Sequence, residues 1–128
     1  MKKQIENLRA VLAHIERHNV AEHVSTLGLT HEVDVLLYAP TGALAAIAAW
    51  VETLHGAVTV VAHVGDGGNH LVASGQLDNG DAAVVAVIAR GRDDDAVAAE
   101  MGGELRVTWP ACTLLRLAAE VDAEAVGA

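Results

Sequence analysis

Apolar and polar positions alternate with a period of two from Ala57 to Ala89, AVTVVAHVGDGGNHLVASGQLDNGDAAVVAVIA, which predicts three antiparallel strands in a meander. Asn79-Gly80 lies between two apolar runs, and both residue types tolerate positive φ, so the pair predicts a two-residue type I′ turn. That turn sets Asp78 opposite Asp81, Leu77 opposite Ala82 and Leu71 opposite Ile88. The earlier turn, Gly65-Asp66-Gly67-Gly68, reads as a four-residue loop that sets Val64 opposite Asn69 and His63 opposite His70. In this register one face carries Val58, Val60, Ala62, Val64, Leu71, Ala73, Gly75, Leu77, Ala82, Val84, Ala86 and Ile88, and it is the expected core face. The opposite face carries polar residues and both histidines, yet Val61, Val72, Val85 and Val87 make it too apolar to be fully wetted. These four valines are the expected interface.

Elsewhere the period lengthens to that of a helix. Ile5, Leu8, Leu12 and Ile15 recur at three- and four-residue spacing and predict a first helix over 2–22, its apolar row laid on the chain's own sheet or shared with another subunit. Continuing the row places Asn19 at the next seam position, where a polar residue can set the register of a helix pair. Ser25-Thr26-Leu27 reads as loop, Val33 to Tyr38 as a strand, and Pro40-Thr41-Gly42 as a turn. A second helix follows over 43–55 with the stripe Leu44, Ile47, Val51 and Leu54, flanked by Trp50 and stopped by Gly56. The order strand, helix, strand allows a right-handed crossover that lays the first strand beside the meander. After the meander, Asp93, Asp94 and Asp95 predict the capped start of a short helix to Met101. Glu104 to Thr108 reads as an edge strand, Pro110 opens a last helix to about Val121, and the tail 122–128 is expected to fray. The expectation is one α+β domain over 1–128, with its core over 33–121. It would be a mixed, mainly antiparallel sheet of four or five strands built on the meander, with helices packed on it.

Composition narrows the function classes. The chain is 52% apolar but has no Phe, and Tyr38, Trp50 and Trp109 are its aromatic residues, so the core must be packed from small side chains. A net charge of −9 with dispersed basic residues argues against a protein that grips nucleic acid or anionic membrane by neutralising phosphates. No apolar run approaches the roughly 18 residues that span a bilayer, and the amino terminus has no signal-peptide hydrophobic region. The single cysteine, Cys112, reads as a small buried apolar residue and fits a reducing cytoplasm. Residues 93–124 hold eight acids against Arg106 and Arg116, which raises an acidic decoy of a nucleic-acid-binding protein as one alternative function.

Seven histidines are the compositional oddity. His14 and His18 stand at i and i+4 on one helix face, with Glu22 continuing the row, a spacing that can hold a transition metal. The expected cross-strand pair His63 and His70, beside Asp66, is the other candidate metal or small-ligand site. The Gly65–Gly68 loop lacks the lysine and the strand-to-helix setting of a phosphate cradle, and no nucleophile–base–acid order stands out, so no enzyme and no cofactor are expected.

The helix LAAIAAWVETL, the following strand, the Gly-Asp loop and HLVASGQLDNGD, together covering Leu44 to Ile88, resemble segments of small uncharacterised proteins of actinobacterial phages and integrative elements. The Ala/Val/Asp/Gly bias also fits a GC-rich genome. The resemblance implies an accessory protein acting by protein–protein contact in the host cytoplasm, and it carries over no functional residue. The favoured expectation is a non-enzymatic interaction module, a homodimer with a possible host-protein partner, and no nucleic-acid or membrane partner.

Overall fold

In a computed structural model that describes residues 2–29 and 32–127, with side chains to 124, the chain forms a mixed six-stranded open sheet with four helices packed on it. The elements in chain order are α1 (Lys2–His18), β1 (Val24–Gly28), β2 (Val33–Leu37), α2 (Ala43–Val51), β3 (His55–Gly65), β4 (Gly68–Gln76), β5 (Ala82–Ile88), α3 (Gly91–Met101), β6 (Arg106–Pro110) and α4 (Ala111–Gly127). The strands lie in the order β1-β2-β5-β4-β3-β6. The meander β3–β4–β5 is the antiparallel centre. Strand β2 joins it parallel to β5, and β6 pairs antiparallel with β3. The class is therefore the expected α+β. The sheet is wider than expected because Ser25-Thr26-Leu27, read as loop, belongs to β1 and pairs with β2.

The turn between β4 and β5 departs from expectation, with large consequences. Leu77 N–H donates to Asp81 O, and Gly80 N–H donates to Leu77 O. Gly80 has φ 89, whereas Asn79 is not among the residues with positive φ. These bonds describe a type I turn closed by a left-handed glycine, a three-residue loop in place of the type I′ pair. The Asn79 side chain is committed to a local turn: its Oδ1 accepts the Asp81 N–H at 3.0 Å. One added loop residue slips the register by one, so Leu71 faces Val87 and Gln76 faces Ala82. A one-residue slip exchanges the faces of the whole strand. Val85 and Val87, expected on the outer face, are instead 0% and 1% exposed in the core with Ala83 and Ala89. Ala82, Val84, Ala86 and Ile88 take their places outside. The turn before β4 keeps the expected pairs, Val64 with Asn69 and His63 with His70, and Gly65 also pairs with Gly68 across it.

The helix readings also shift. α1 ends at His18, because Asn19 adopts φ 54 and closes it as a left-handed cap, so Asn19 is exposed and occupies no seam. The side of α1 that turns inward is Asn7, Val11 and His14, while Ile5, Leu8 and Leu12 face outward. Gly56, read as the stop of α2, lies inside β3 at φ 81, where the pairing with β4 is interrupted between His55 and Thr59. Helix α4 continues through the expected frayed tail to Gly127, and Ala128 lies outside the described residues. Cys112, expected buried, is exposed near the start of α4.

The core fills the space between one sheet face and the helices: Val33, Val35 and Leu37 of β2, Val60 and Ala62 of β3, Leu71 and Ala73 of β4, and Val85 and Val87 of β5 meet Leu44, Ile47, Trp50 and Leu114. At ~25 cal/mol per Å² of apolar surface, this interleaved layer is the main stabilising term.

Candidate functional site

Three elements distant in sequence meet at one end of the sheet. α1 supplies His14 and His18 one turn apart, the start of β3 supplies His55, and the β4–β5 loop supplies Asp78. His18 Nε2 lies 3.0 Å from both Asp78 carboxylate oxygens. His55 Nε2 lies 2.8 Å from Asp78 Oδ1, and Arg17 is 3.5 Å from Oδ2. The loop type is what brings Asp78 here, since its backbone N–H also donates to His14 Nδ1 at 3.2 Å.

His14 is 1% exposed, and its hydrogen bonds define its tautomer. Thr53 has one hydroxyl proton, which it donates to Trp50 O at 2.7 Å. It therefore accepts from His14 Nε2–H, also at 2.7 Å. The lone pair of His14 is thus on Nδ1, aimed at the Asp78 loop. The ring stacks on Trp50 at 5.7 Å and lies 4.5 Å from the His18 ring. Burial pushes the His14 imidazole below its ordinary pKa; the Asp78 carboxylate pulls the other way, while His18, His55 and Arg17 add to the depression. Hydrogen bonds from His18 and His55 hold the Asp78 carboxyl well below the usual carboxylate range. Thr53, His14 and Asp78 stand in the order nucleophile, base and acid, but the protons run the wrong way. The hydroxyl donates to a carbonyl and receives the imidazole proton, so no base faces it.

The other expected site assembles only in part. The rings of His63 and His70 are cross-strand neighbours 5.0 Å apart, as the register reading required. His70 Nε2, however, meets the backbone oxygen of Asp66 at 3.2 Å, and His63 Nδ1 meets Val64 O. Among the described residues, the group of three potential metal ligands that converges is His14, His18 and Asp78; it does not include Asp66, His63 or His70. The i, i+4 spacing marks His14 and His18, but no sequence pattern marks His55 or Asp78, because Asp78 arrives through the turn and His55 through the bulged start of β3.

Four of the eight acids of 93–124 are committed within the fold, and Asp95, Glu104, Asp122 and Glu124 are exposed. Asp93, 5% exposed, accepts the Leu44 N–H at the start of α2 at 3.4 Å rather than capping its own helix, and Asp94 Oδ1 accepts from the Asn69 backbone and side chain. Glu100 and Glu120 pair with Arg116. A cavity of about 290 Å³ lies where α2 and α3 begin, lined in part by Leu44, Ala118, Val121, Arg90 and Arg92. Asp93 also lines it and already supplies the negative charge that helix starts attract.

The outer sheet face is the second feature of interest. Val61 and Val72 are directly paired on it, and Val72 pairs with Ala86. Val84, Ile88 and Leu36 extend the apolar strip, and Tyr38 beyond the end of β2 is 63% exposed. Among the described residues no helix lies on this face; the contacts of α2, α3 and α4 with one another and with the inward side chains place them together on the core face. No helix of the described residues is long and apolar enough to cross a membrane. No protein-family model, curated protein or solved structure matches the chain.

Proposed function

We propose that this chain is a non-enzymatic interaction module that forms a homodimer through the outer face of its sheet. The observation that carries the reading is the uncovered apolar strip Leu36, Val84, Ile88, Val72 and Val61, which crosses four adjacent strands. Four strands at ~4.8 Å and about five residues at ~3.4 Å give a projected area on the order of 300 Å² before the rim is counted. That is within the range where exposed patches on monomers serve binding, about 300–600 Å². A second copy is the natural occupant: sheet faces interlock at ~10 Å separation, and a two-fold axis makes one patch complementary to itself. The setting implied by the resemblance, an accessory protein of a phage or integrative element in a host cytoplasm, is compatible with a host protein competing for the same face.

Light scattering after size exclusion tests this. The wild type should have twice the 13.2 kDa chain mass, and Val72→Lys/Val84→Lys should be a folded monomer by circular dichroism. A wild-type monomer at all concentrations would remove the homodimer. A second reading places the contact on α1, because Ile5, Leu8 and Leu12 are 44%, 37% and 48% exposed at heptad spacing. If the lysine pair leaves the dimer intact and Leu8→Glu/Leu12→Glu dissolves it, α1 is the contact.

A further inference from the structure

We propose that His14, His18 and Asp78 form a binding site for a late first-row divalent cation, zinc foremost, which would join α1 to the β4–β5 loop. This inference is independent of the dimer. The ligating atoms of these three residues all lie within 4.8 Å of one another. His18 Nε2 is 3.0 Å from the Asp78 carboxylate, and His14 Nδ1 is 3.5 Å from its Oδ2. An ion held at ~2.0–2.1 Å by imidazole nitrogen and carboxylate oxygen in a tetrahedron keeps its ligands roughly 3.3 Å apart. The two distances to Asp78 bracket that spacing. The part-exposed His18, at the end of its helix, supplies the remaining closure.

The surroundings are those of a metal site. The ligating nitrogen of a histidine is chosen by what the other nitrogen donates to, and here Thr53 takes the His14 Nε2–H, leaving Nδ1 with its lone pair toward Asp78. His55 holds Oδ1 of Asp78 at 2.8 Å and so orients the carboxylate, with Oδ2 toward an ion; the exposed Arg17, 3.5 Å from Oδ2, must swing into solvent as the ion enters. Two imidazoles and one carboxylate suit zinc, nickel, copper or cobalt better than magnesium or calcium, which prefer all-oxygen shells. Three protein ligands leave a fourth position for water. Binding transfers the His14 lone pair from the long 3.2 Å bond with Asp78 N–H to the ion, and moves the His18 ring proton from Nε2, where it faces the carboxylate, to Nδ1, so that Nε2 presents its lone pair.

The test uses the full-length, tag-free chain stripped with chelator and titrated with zinc, then with cobalt for its visible spectrum. One equivalent should bind at micromolar affinity or tighter, the melting temperature should rise, and cobalt should give the strong visible bands of a four-coordinate site. His18→Gln and Asp78→Asn should each weaken binding at least tenfold. His63→Gln/His70→Gln should bind as the wild type does. One arm needs no variant to fold: no binding by the wild type at about 50 µM zinc, well above the micromolar Kd expected, overturns the site. So does wild-type affinity in folded His18→Gln, or loss of binding in the His63/His70 variant alone.

Discussion

The central meander and the helix α1 bury their residues by different rules. In the centre of β3, β4 and β5 the alternation of side chains decides burial: Val60, Ala62, Leu71, Ala73, Val85 and Val87 are inside, and their chain neighbours are not. Val64, in the same phase and expected on the core face, is 56% exposed at the end of β3, where the core stops. In α1 the most regular apolar row, Ile5, Leu8 and Leu12, is outside, and Asn7, Val11 and His14 are inside. A central strand is held on both sides by a hydrogen-bonded neighbour, so the pleat leaves its side chains two directions. A peripheral helix can rotate about its axis. Here the rotation that is adopted satisfies a buried imidazole on Thr53, Trp50 and the Asp78 backbone, at the expense of leaving three apolar side chains exposed. Regular apolar spacing is thus a secure guide to what is buried only where neighbours restrain the element.

The strongest way to break this comparison is on β5. Val85→Lys should unfold the protein or cost about 3–5 kcal/mol, because an unpaired ammonium would sit in the core. Val72→Lys, on the outer face, should stay within about 1 kcal/mol at concentrations low enough to separate folding from association. Urea denaturation of the two variants reads the difference, and equal losses would mean the β5 register is wrong.

A smaller effect separates the two sides of α1. His14→Ala should cost about 2–4 kcal/mol, since it empties a fully buried site stacked on Trp50 and removes the acceptor of the part-buried Asp78 N–H. Leu8→Glu should change stability by no more than about 0.5 kcal/mol. Denaturant midpoints for both variants check this, and a Leu8→Glu loss as large as that of His14→Ala would place the apolar row inward after all.

The smallest effect is the pH dependence of the metal-free protein. The folded-state pKa of His14 lies below the unfolded value of 6.5, so the unfolded chain takes up more protons than the folded one as pH falls. The His14 contribution is complete above pH 6.5 and declines below it. Asp78, also depressed, adds a second loss once pH falls beneath its unfolded value of 3.8. Urea midpoints at pH 7.5, 6.0 and 5.0 should fall in that order for the wild type and stay flatter for His14→Ala. A wild-type midpoint that is unchanged from pH 7.5 to 5.0 contradicts the histidine assignment.

Much of the architecture was legible in the chain itself. The alternation over Ala57–Ala89 specifies three paired strands, and the His63–His70 contact follows from it across the Asp66-Gly67 turn. Leu44, Ile47, Val51 and Leu54 are buried as their spacing required. The candidate site was legible only as the pair His14 and His18. Asp78 reaches it because the β4–β5 loop holds three residues and not two, and Asn-Gly is compatible with either loop.

The sequence by itself determined the class of the fold, the strands of the meander, and the inward faces of β3 and β4, because period and turn chemistry act over a few residues. Tertiary structure decided the face of β5, the rotation of α1 and the meeting of His14, His18, His55 and Asp78. Each of these depends on contacts between residues up to 64 positions apart, as for His14 and Asp78, whose geometry no local pattern encodes.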